Sequence, residues 1–415
     1  MNFKNYKIRP CIVGLGYVGL PVFLQLQKKF KVIGYDKNLI RIKTLKNKID
    51  INKEYTNKNL KLKNKSFFSS KSRDIKNANF FIVTVPTPID RKKNPDLSYL
   101  ENASKLIAKN LKKNDIIIFE STVYPGTTKY LIKKFFNKIS KLIEGVDYFV
   151  GYSPERVNPG DNKHSISNIK KIIAFNSKNK EIKSLILNVY KCITKNLVYS
   201  TSIESAETAK VIENIQRDLN IALINDILIF SDKMNINFTE VLRLASSKWN
   251  FLNFNPGLVG GHCLPVDPYY LSYIAKKNKI KLKTLLAGRE VNNYMKIFIL
   301  NKIKEYVKIF SINEQSDPNI LVCGLTYKND VSDIRNSLSL EIFLKLKIFF
   351  KSVIGYDYVC NDRTIKKYKI IKSIDKIKSK IDIAVFLVNH KKNIELFNYF
   401  NKKGVKILDP FHFYK

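Results

Sequence analysis

The sequence has no apolar run long enough to span a bilayer, because Lys or Asn interrupts every candidate, so no membrane insertion is expected. Its opening, MNFKNYKIRPCIVGLGYVGL, lacks an apolar segment followed by a small-residue cleavage site. No signal peptide is expected, and the cytoplasm is the expected compartment. Cysteine is sparse: Cys11, Cys192, Cys263, Cys323 and Cys360 are scattered without metal-ligand spacing. That argues against a disulfide framework or a metal module and for reduced thiols. Acidic residues are few, 35 against 74 basic ones, which leaves a formal charge of +39. Such a charge raises a nucleic-acid reading. However, ten of the basic residues are Arg, and the remaining Lys are spread evenly among Asn and Ile. No aromatic-plus-basic binding signature accompanies them, so no nucleic-acid partner is expected. The positive field would still attract an anionic substrate.

What is present points to an α/β enzyme. At 415 residues the chain is too long for one ordinary core. A short apolar run ending at Val13 is followed by Gly14-Leu15-Gly16-Tyr17-Val18-Gly19, a helical pattern, and a second strand closing on Asp36. Gly14 permits the tight turn, Gly16 lets a pyrophosphate approach the backbone of Tyr17 and Val18, and Gly19 lets helix and strand pack. The helix N-terminus then faces the diphosphate. Asp36 suits ribose hydroxyls and would repel a 2′-phosphate, so NAD is expected rather than NADP. Arg41, in the next helix, either lies over the adenosine or is a solvated surface residue. Strands over Phe80–Val85 and Ile116–Phe119 end in VPTP and ESTVYPGTT, which places Thr87 and Thr122 where a parallel sheet gathers its ligands. The next strand end, Phe149–Ser153, leads to Glu155 and Arg156, and a carboxylate there could serve as a base.

From about Glu204 one long helical pattern carries Lys210, Asn214 and Arg217 on one face. Its apolar circumference suits a buried polar face or a subunit contact. The stretch NPGLVGGHCLPVDPYY (Asn255–Tyr270) then sets Cys263 behind Gly260-Gly261 and four residues before Asp267. A thiol in a rigid, glycine-opened loop near a carboxylate is a candidate nucleophile; the alternative is a buried structural cysteine. SINEQSDPN (Ser311–Asn319) reads as a linker, after which the first pattern recurs. VIGYD appears at Val32–Asp36 and again at Val353–Asp357, and CIVGLGYVG is echoed by LVCGLTYKN. The second copy lacks the later glycines and gains Lys328, with Arg335 beyond it, which suits a phosphate or pyrophosphate.

The matching stretches are GLGYVGLP, VPTP, ESTVYPGTT, GYSPERVNPGD, AETAKVIENIQRDLNIALIND, KWNFLNFNPGLVGGHCLPVDPYYL and GLTYKNDVSDIRNS. On these the chain resembles the nucleotide-sugar 6-dehydrogenases. The resemblance implies two Rossmann-like, doubly wound domains joined by a central helical region: an NAD-binding domain over 1–200, a dimerisation and cysteine region over 201–310, and a UDP-sugar-binding domain over 311–415. It also implies a homodimer through the central helix and a two-step, NAD-dependent oxidation of a sugar C6 alcohol to the acid through a cysteine thiohemiacetal and thioester. In that chemistry Lys210 and Asn214 stabilise the developing oxyanion, Asp267 assists proton transfer, and Glu155 and Thr122 serve hydrolysis. Arg156, Arg217, Gly257, Gly260 and Lys328 join the substrate contacts, while Arg335 approaches NAD. Within the family, KWNFLNFNPGLVGGHC, QRDLN and LAGREVN look most like the bacterial branch acting on UDP-N-acetylglucosamine or UDP-N-acetylgalactosamine for surface-polysaccharide precursors. Leu264-Pro265, Asn253 and Asn255 depart from that branch. UDP-glucose or UDP-N-acetylmannosamine is the alternative substrate, and a single-step hydroxyacid-type dehydrogenase is the rival enzyme.

Overall fold

The apolar runs of the first two hundred residues become β1 (Pro10–Val13), β2 (Ile33–Tyr35), β3 (Phe67–Ser69), β4 (Phe80–Val83), β5 (Ile116–Phe119), β6 (Phe149–Tyr152), β7 (Lys170–Phe175) and β8 (Asn196–Ser200). They form one sheet in the order β3-β2-β1-β4-β5-β6-β7-β8. Through β6 the strands are parallel, and the order reverses between β1 and β4 as in a dinucleotide-binding fold. β7 departs from the expected parallel pattern: it runs antiparallel to β6. The central strands read as unbroken apolar sequence because both of their faces are covered. Ile12, Phe80, Ile82, Ile116 and Ile118 enter one core, and Cys11, Val13, Phe81, Val83, Ile117 and Phe119 enter the other. Each fully buried Ile or Phe contributes roughly 1.5–3 kcal/mol.

This is a computed structural model, and it describes residues 6–52, 54–156, 166–377 and 380–414. The end of the GYSPERVNPGD stretch, from residue 157, lies outside the described residues. By its contacts the chain forms two units, Met1–Ile212 with Tyr269–Asn278, and Glu213–Pro268 with Lys279–Lys415. The boundary falls inside the long helix Ile203–Lys233.

In the second unit the recurring pattern builds β9 (Ile320–Cys323), β10 (Val353–Tyr356), β11 (Ile370–Ile371), β12 (Ile383–Phe386) and β13 (Lys406–Leu408). Their order, β11-β10-β9-β12-β13, repeats that of the first five strands, and all pairs are parallel. One face of this sheet shares its core with Ile224 and Leu228 of the long helix and with Met295, Ile299, Ile303 and Val307 of helix Lys283–Glu314. That helix corrects the linker reading. Ser311–Glu314 remain helical, because neither Gly nor Pro occurs from Ser311 to Asp317; the helix stops at Gln315, whose φ of 51° is left-handed. After the cysteine loop the chain forms two helices, Asp267–Lys277 and Lys283–Glu314.

Candidate active site

In the first unit, β1 delivers the chain into the Gly14–Gly19 turn and the helix Gly19–Leu26. Gly14 has φ +98°, and a Cβ on Gly19 would sit 1.9 Å from the Gly14 carbonyl oxygen, so helix and turn approach too closely for any side chain there. A Cβ on Gly16 would meet nothing within 4 Å, which leaves the space a diphosphate needs. No side chain caps the N-terminus of this helix, so its first amides are not satisfied that way. Asp36 accepts from the Leu15 amide through Oδ2 and from the Asn38 amide through Oδ1, both at 2.8 Å, and stays half-buried at the end of β2. Arg41 is buried, which removes the solvated alternative: its Nε donates to the Leu15 carbonyl at 2.8 Å and its Nη1 to Asp50 at 2.6 Å. Its buried Nη2 finds no protein partner. An open cradle, an acid at the strand end and an orphaned guanidinium nitrogen fit a dinucleotide.

The strand-end loops are tied to one another. The Thr87 hydroxyl donates to the Thr122 carbonyl at 2.7 Å, and Ser121 Oγ donates to the Val85 carbonyl at 2.6 Å. The Tyr270 hydroxyl also donates to the Thr87 carbonyl. Behind them lies a cluster that sequence reading missed apart from Glu155. Lys171, fully buried on β7, donates to Glu120 at 3.0 Å and to Glu155 at 3.1 Å, and the Tyr190 hydroxyl donates to Glu120 at 2.8 Å. Burial pulls the Lys171 ammonium down, but the two carboxylates outweigh it and hold the group above its ordinary range. Glu155 Oε1 accepts from the Arg156 amide at 2.8 Å, and the Arg156 guanidinium reaches the Lys170 carbonyl at 3.1 Å. The second lysine of the strand KKIIAF, directly before its apolar run, was the available signal.

On the long helix, buried Glu207 accepts from the amides of Gly126 and Thr128 at 2.6 and 2.9 Å and from the Thr128 hydroxyl at 2.7 Å. It thereby pins the turn of ESTVYPGTT. Burial raises its pKa to about 7. Lys210, one turn on, is buried; Asn214 is half-buried and Arg217 exposed. The expected polar face is therefore graded along the helix rather than uniformly buried.

In the second unit the cysteine loop is held from three sides. Asn225 of the long helix grips both backbone groups of Gly257, its carbonyl accepting from the Gly257 amide at 2.9 Å and its Nδ2 donating to the Gly257 carbonyl at 3.1 Å. Behind Asn225, Asn292 and Arg289 bond to Asp218, a buried polar network absent from the sequence reading. Gly260 and Gly261, the latter at φ +87°, pack on Tyr327, where any Cβ would lie 2.9 and 2.7 Å from that side chain. Asn336 Nδ2 donates to the Gly261 carbonyl at 2.9 Å. The amides of Val266 and Asp267 then turn back onto the Cys263 carbonyl at 3.0 and 2.8 Å. Asn214 donates to the buried Asp267 carboxylate at 2.5 Å. Cys263 itself is exposed, whereas Cys11, Cys323 and Cys360 are buried and their thiols pushed up by burial. The buried-cysteine alternative therefore describes those three and not Cys263. Lys328 is half-buried; Arg335 is exposed and clasps Asp333 at 2.6 Å. A cavity of about 340 Å³ opens beside Asn255, Pro256, Gly257 and Tyr327.

Residues 8–194 match the NAD binding domain of the UDP-glucose/GDP-mannose dehydrogenase family, 204–294 its central domain and 321–412 its UDP binding domain. The protein CapL of Staphylococcus aureus is 43% identical over 387 residues, covering 92% of this chain and 90% of that protein. The UDP-N-acetyl-D-glucosamine 6-dehydrogenase of Salmonella typhi is 40% identical, with 93% and 90% covered. Among solved structures, the UDP-D-ManNAc dehydrogenase of Pyrococcus horikoshii aligns with a TM-score of 0.86 at 29% identity, covering 98% of this chain and 96% of that one.

Proposed function

The chain belongs to the UDP-glucose/GDP-mannose dehydrogenase family, and from that premise we propose that it oxidises the C6 alcohol of UDP-N-acetylglucosamine or UDP-N-acetylgalactosamine to the uronic acid, for surface-polysaccharide precursors. NAD, held by the Gly14–Gly19 turn and Asp36, supplies the hydride acceptor for both oxidations. The observation that carries the reading is Cys263: among the described cysteines it combines exposure with a loop fixed by Asn225, Asn336 and Tyr327.

In this reading C6 loses one hydride and becomes an aldehyde, and the Cys263 sulfur adds to it as a thiohemiacetal. Loss of a second hydride leaves a thioester, which water hydrolyses to the acid. Lys210 and Asn214 stabilise the oxyanion that each addition creates. The Asn214–Asp267 hydrogen bond holds that amide and sets the carboxylate for proton transfer. Glu155 takes the proton of the hydrolytic water, beside Thr122. Arg156, Arg217, Gly257, Gly260 and Lys328 receive the nucleotide-sugar, and Arg335 reaches NAD. The reaction needs reduced thiol, which fits a cytoplasmic setting.

The substrate class is supported by the Salmonella typhi relative, which is named for UDP-N-acetyl-D-glucosamine. UDP-N-acetylmannosamine is the second reading, favoured by the structural likeness to the Pyrococcus horikoshii enzyme. A panel of UDP-glucose and the three UDP-N-acetylhexosamines, with NADH followed, decides between them. Two NADH per sugar from the glucosamine or galactosamine substrate is expected; turnover of UDP-N-acetylmannosamine or UDP-glucose alone removes the proposal. We also propose a homodimer through the central helix. Leu223 and Phe230, seven residues apart on one face of the long helix, are exposed, as is Met234 just beyond its end, and Trp249 is 91% exposed. Light scattering that returns a monomer at micromolar concentration would remove that part.

A further inference from the structure

Lys171 is the most deeply buried cation in the first sheet, and its position follows from strand register. β7 turns antiparallel to β6, with Gly151 facing Phe175 and Tyr152 facing Ala174. Continuing that register one strand end further sets Lys171 opposite Glu155, and Ser153 Oγ, donating to the Ile172 carbonyl at 2.6 Å, holds the two segments together there. The Lys171 ammonium reaches Glu155 at 3.1 Å, Glu120 at 3.0 Å and the Pro154 carbonyl at 3.4 Å. Tyr190, from helix Lys180–Tyr190, closes the far side of Glu120. Beyond Lys171 the strand continues with Ile172, Ile173 and Ala174, all buried and apolar, while Lys170 before it is exposed. Stability alone does not call for a lysine among them, since well-packed apolar residues often replace a buried ion pair without loss. A cation on a fixed strand, aimed at a carboxylate in a loop, instead fixes where that carboxylate points.

We propose that Lys171 is a positioning residue for Glu155 in thioester hydrolysis, with Glu120 and Tyr190 anchoring it from behind. The inference rests on the cysteine route given above. In the step concerned, the water oxygen bonds to the acyl carbon, Glu155 takes one water proton, the carbon–sulfur bond breaks, and the sulfur leaves as a thiolate. No oxidant or reductant is consumed. Without Lys171 the Glu155 carboxylate would lose its fixed orientation, and hydrolysis would slow while the two hydride losses proceed.

The test is Lys171→Met, with Lys171→Arg as the conservative variant. Rapid mixing with substrate and NAD should give a burst of two NADH per subunit, followed by acid formation slowed by about 100-fold, the scale of a misplaced catalytic group. Intact mass should show the acyl adduct accumulating on Cys263, and Lys171→Arg should recover most of the rate. Combining Lys171→Met with Glu155→Gln should add little to either alone. A folded Lys171→Met protein with wild-type hydrolysis and no adduct overturns the proposal. Lys171→Met with Glu120→Gln removes one cation and one anion together and guards against simple charge imbalance. If that double variant also unfolds while Glu120→Gln folds, Lys171 serves stability and the proposal falls. Cys263→Ser separates the two readings: acid formed by that variant at the wild-type rate removes the cysteine route itself, whereas loss of acid there together with unaltered Lys171→Met hydrolysis removes only this role.

Discussion

The two Rossmann-like sheets share one hydrogen-bond frame and use it for different ends. Gly14 donates to the Tyr35 carbonyl at 2.8 Å, and Gly324 to that of Tyr356 at 2.9 Å. The Leu15 amide meets Asp36 at 2.8 Å, and the Leu325 amide meets Asp357 at 2.7 Å. Beyond that frame they diverge. Asp36 is half-buried, while Asp357 is fully buried, takes the amides of Thr326, Val359 and Cys360 as well, and faces His390 at 3.2 Å. Where Gly16 leaves open space, buried Thr326 bonds to the Lys328 carbonyl; where Gly19 touches the turn, Asn329 is exposed. The second acid has become an internal fastener, and the diphosphate cradle is filled. The same strand-turn-strand frame thus stands with the cradle open in one sheet and filled in the other.

The comparison breaks most visibly at Asp357. Asp357→Ala strands several buried donors and should cost about 3–5 kcal/mol, read as a lower urea midpoint, with NAD affinity unchanged in the protein that remains folded. Titration sharpens the contrast. Burial raises Glu207 to about 7, so its stabilisation is complete below about 4.5 and lost as pH rises to about 7. Asp357 behaves oppositely: burial pushes it up, but His390 and the backbone amides hold it below its usual range, so its stabilisation is lost as pH falls through the acid range. Stability measured against pH should therefore fall between about pH 4.5 and 7 by up to roughly 3 kcal/mol, and Glu207→Gln should flatten that limb. A flat limb in the wild type would contradict the assignment.

Asp36→Ala should weaken NAD binding by about 10- to 100-fold in calorimetry while shifting stability by about 1 kcal/mol or less. The reverse pattern, a large loss of stability with NAD affinity kept, would mean that the two acids do the same work. The smallest effect is expected at Asn329→Ala, within about 0.5 kcal/mol, because the residue is exposed where its counterpart Gly19 admits no side chain.

Much of this contrast is legible in the sequence. GLGYVG, Asp36 and the repeated VIGYD are local patterns, and local patterns specify strand, turn and register directly. Cys263 stood out because two glycines and three prolines surround it within a few residues. The filling of the second cradle was half visible, in the lost glycines, but the burial of Asp357 was not, since His390 comes to it from a distant strand end. Lys171 was missed for the same reason. Its partnership with Glu155 depends on an antiparallel turn within a parallel sheet, and nothing near KKIIAF in the chain announces the direction of that strand. The Asp218–Arg289–Asn292–Asn225 network likewise joins two helices whose spacing along the chain carries no period. Lys210, Asn214 and Arg217 were correctly set on one helical face, yet helical spacing cannot say how deep each turn lies.

In the proposed route the sulfur of Cys263 carries the sugar between its two oxidations. Rapid-quench intact-mass analysis of the Glu155→Gln protein, with the preferred UDP-N-acetylhexosamine and NAD, tests it most directly. The expected result is an adduct on Cys263 whose sugar carbon is at the acyl level, formed with two NADH per subunit and absent in Cys263→Ser. Normal uronic acid output from Cys263→Ser, or turnover that stops at one NADH with no adduct at any time, would contradict it.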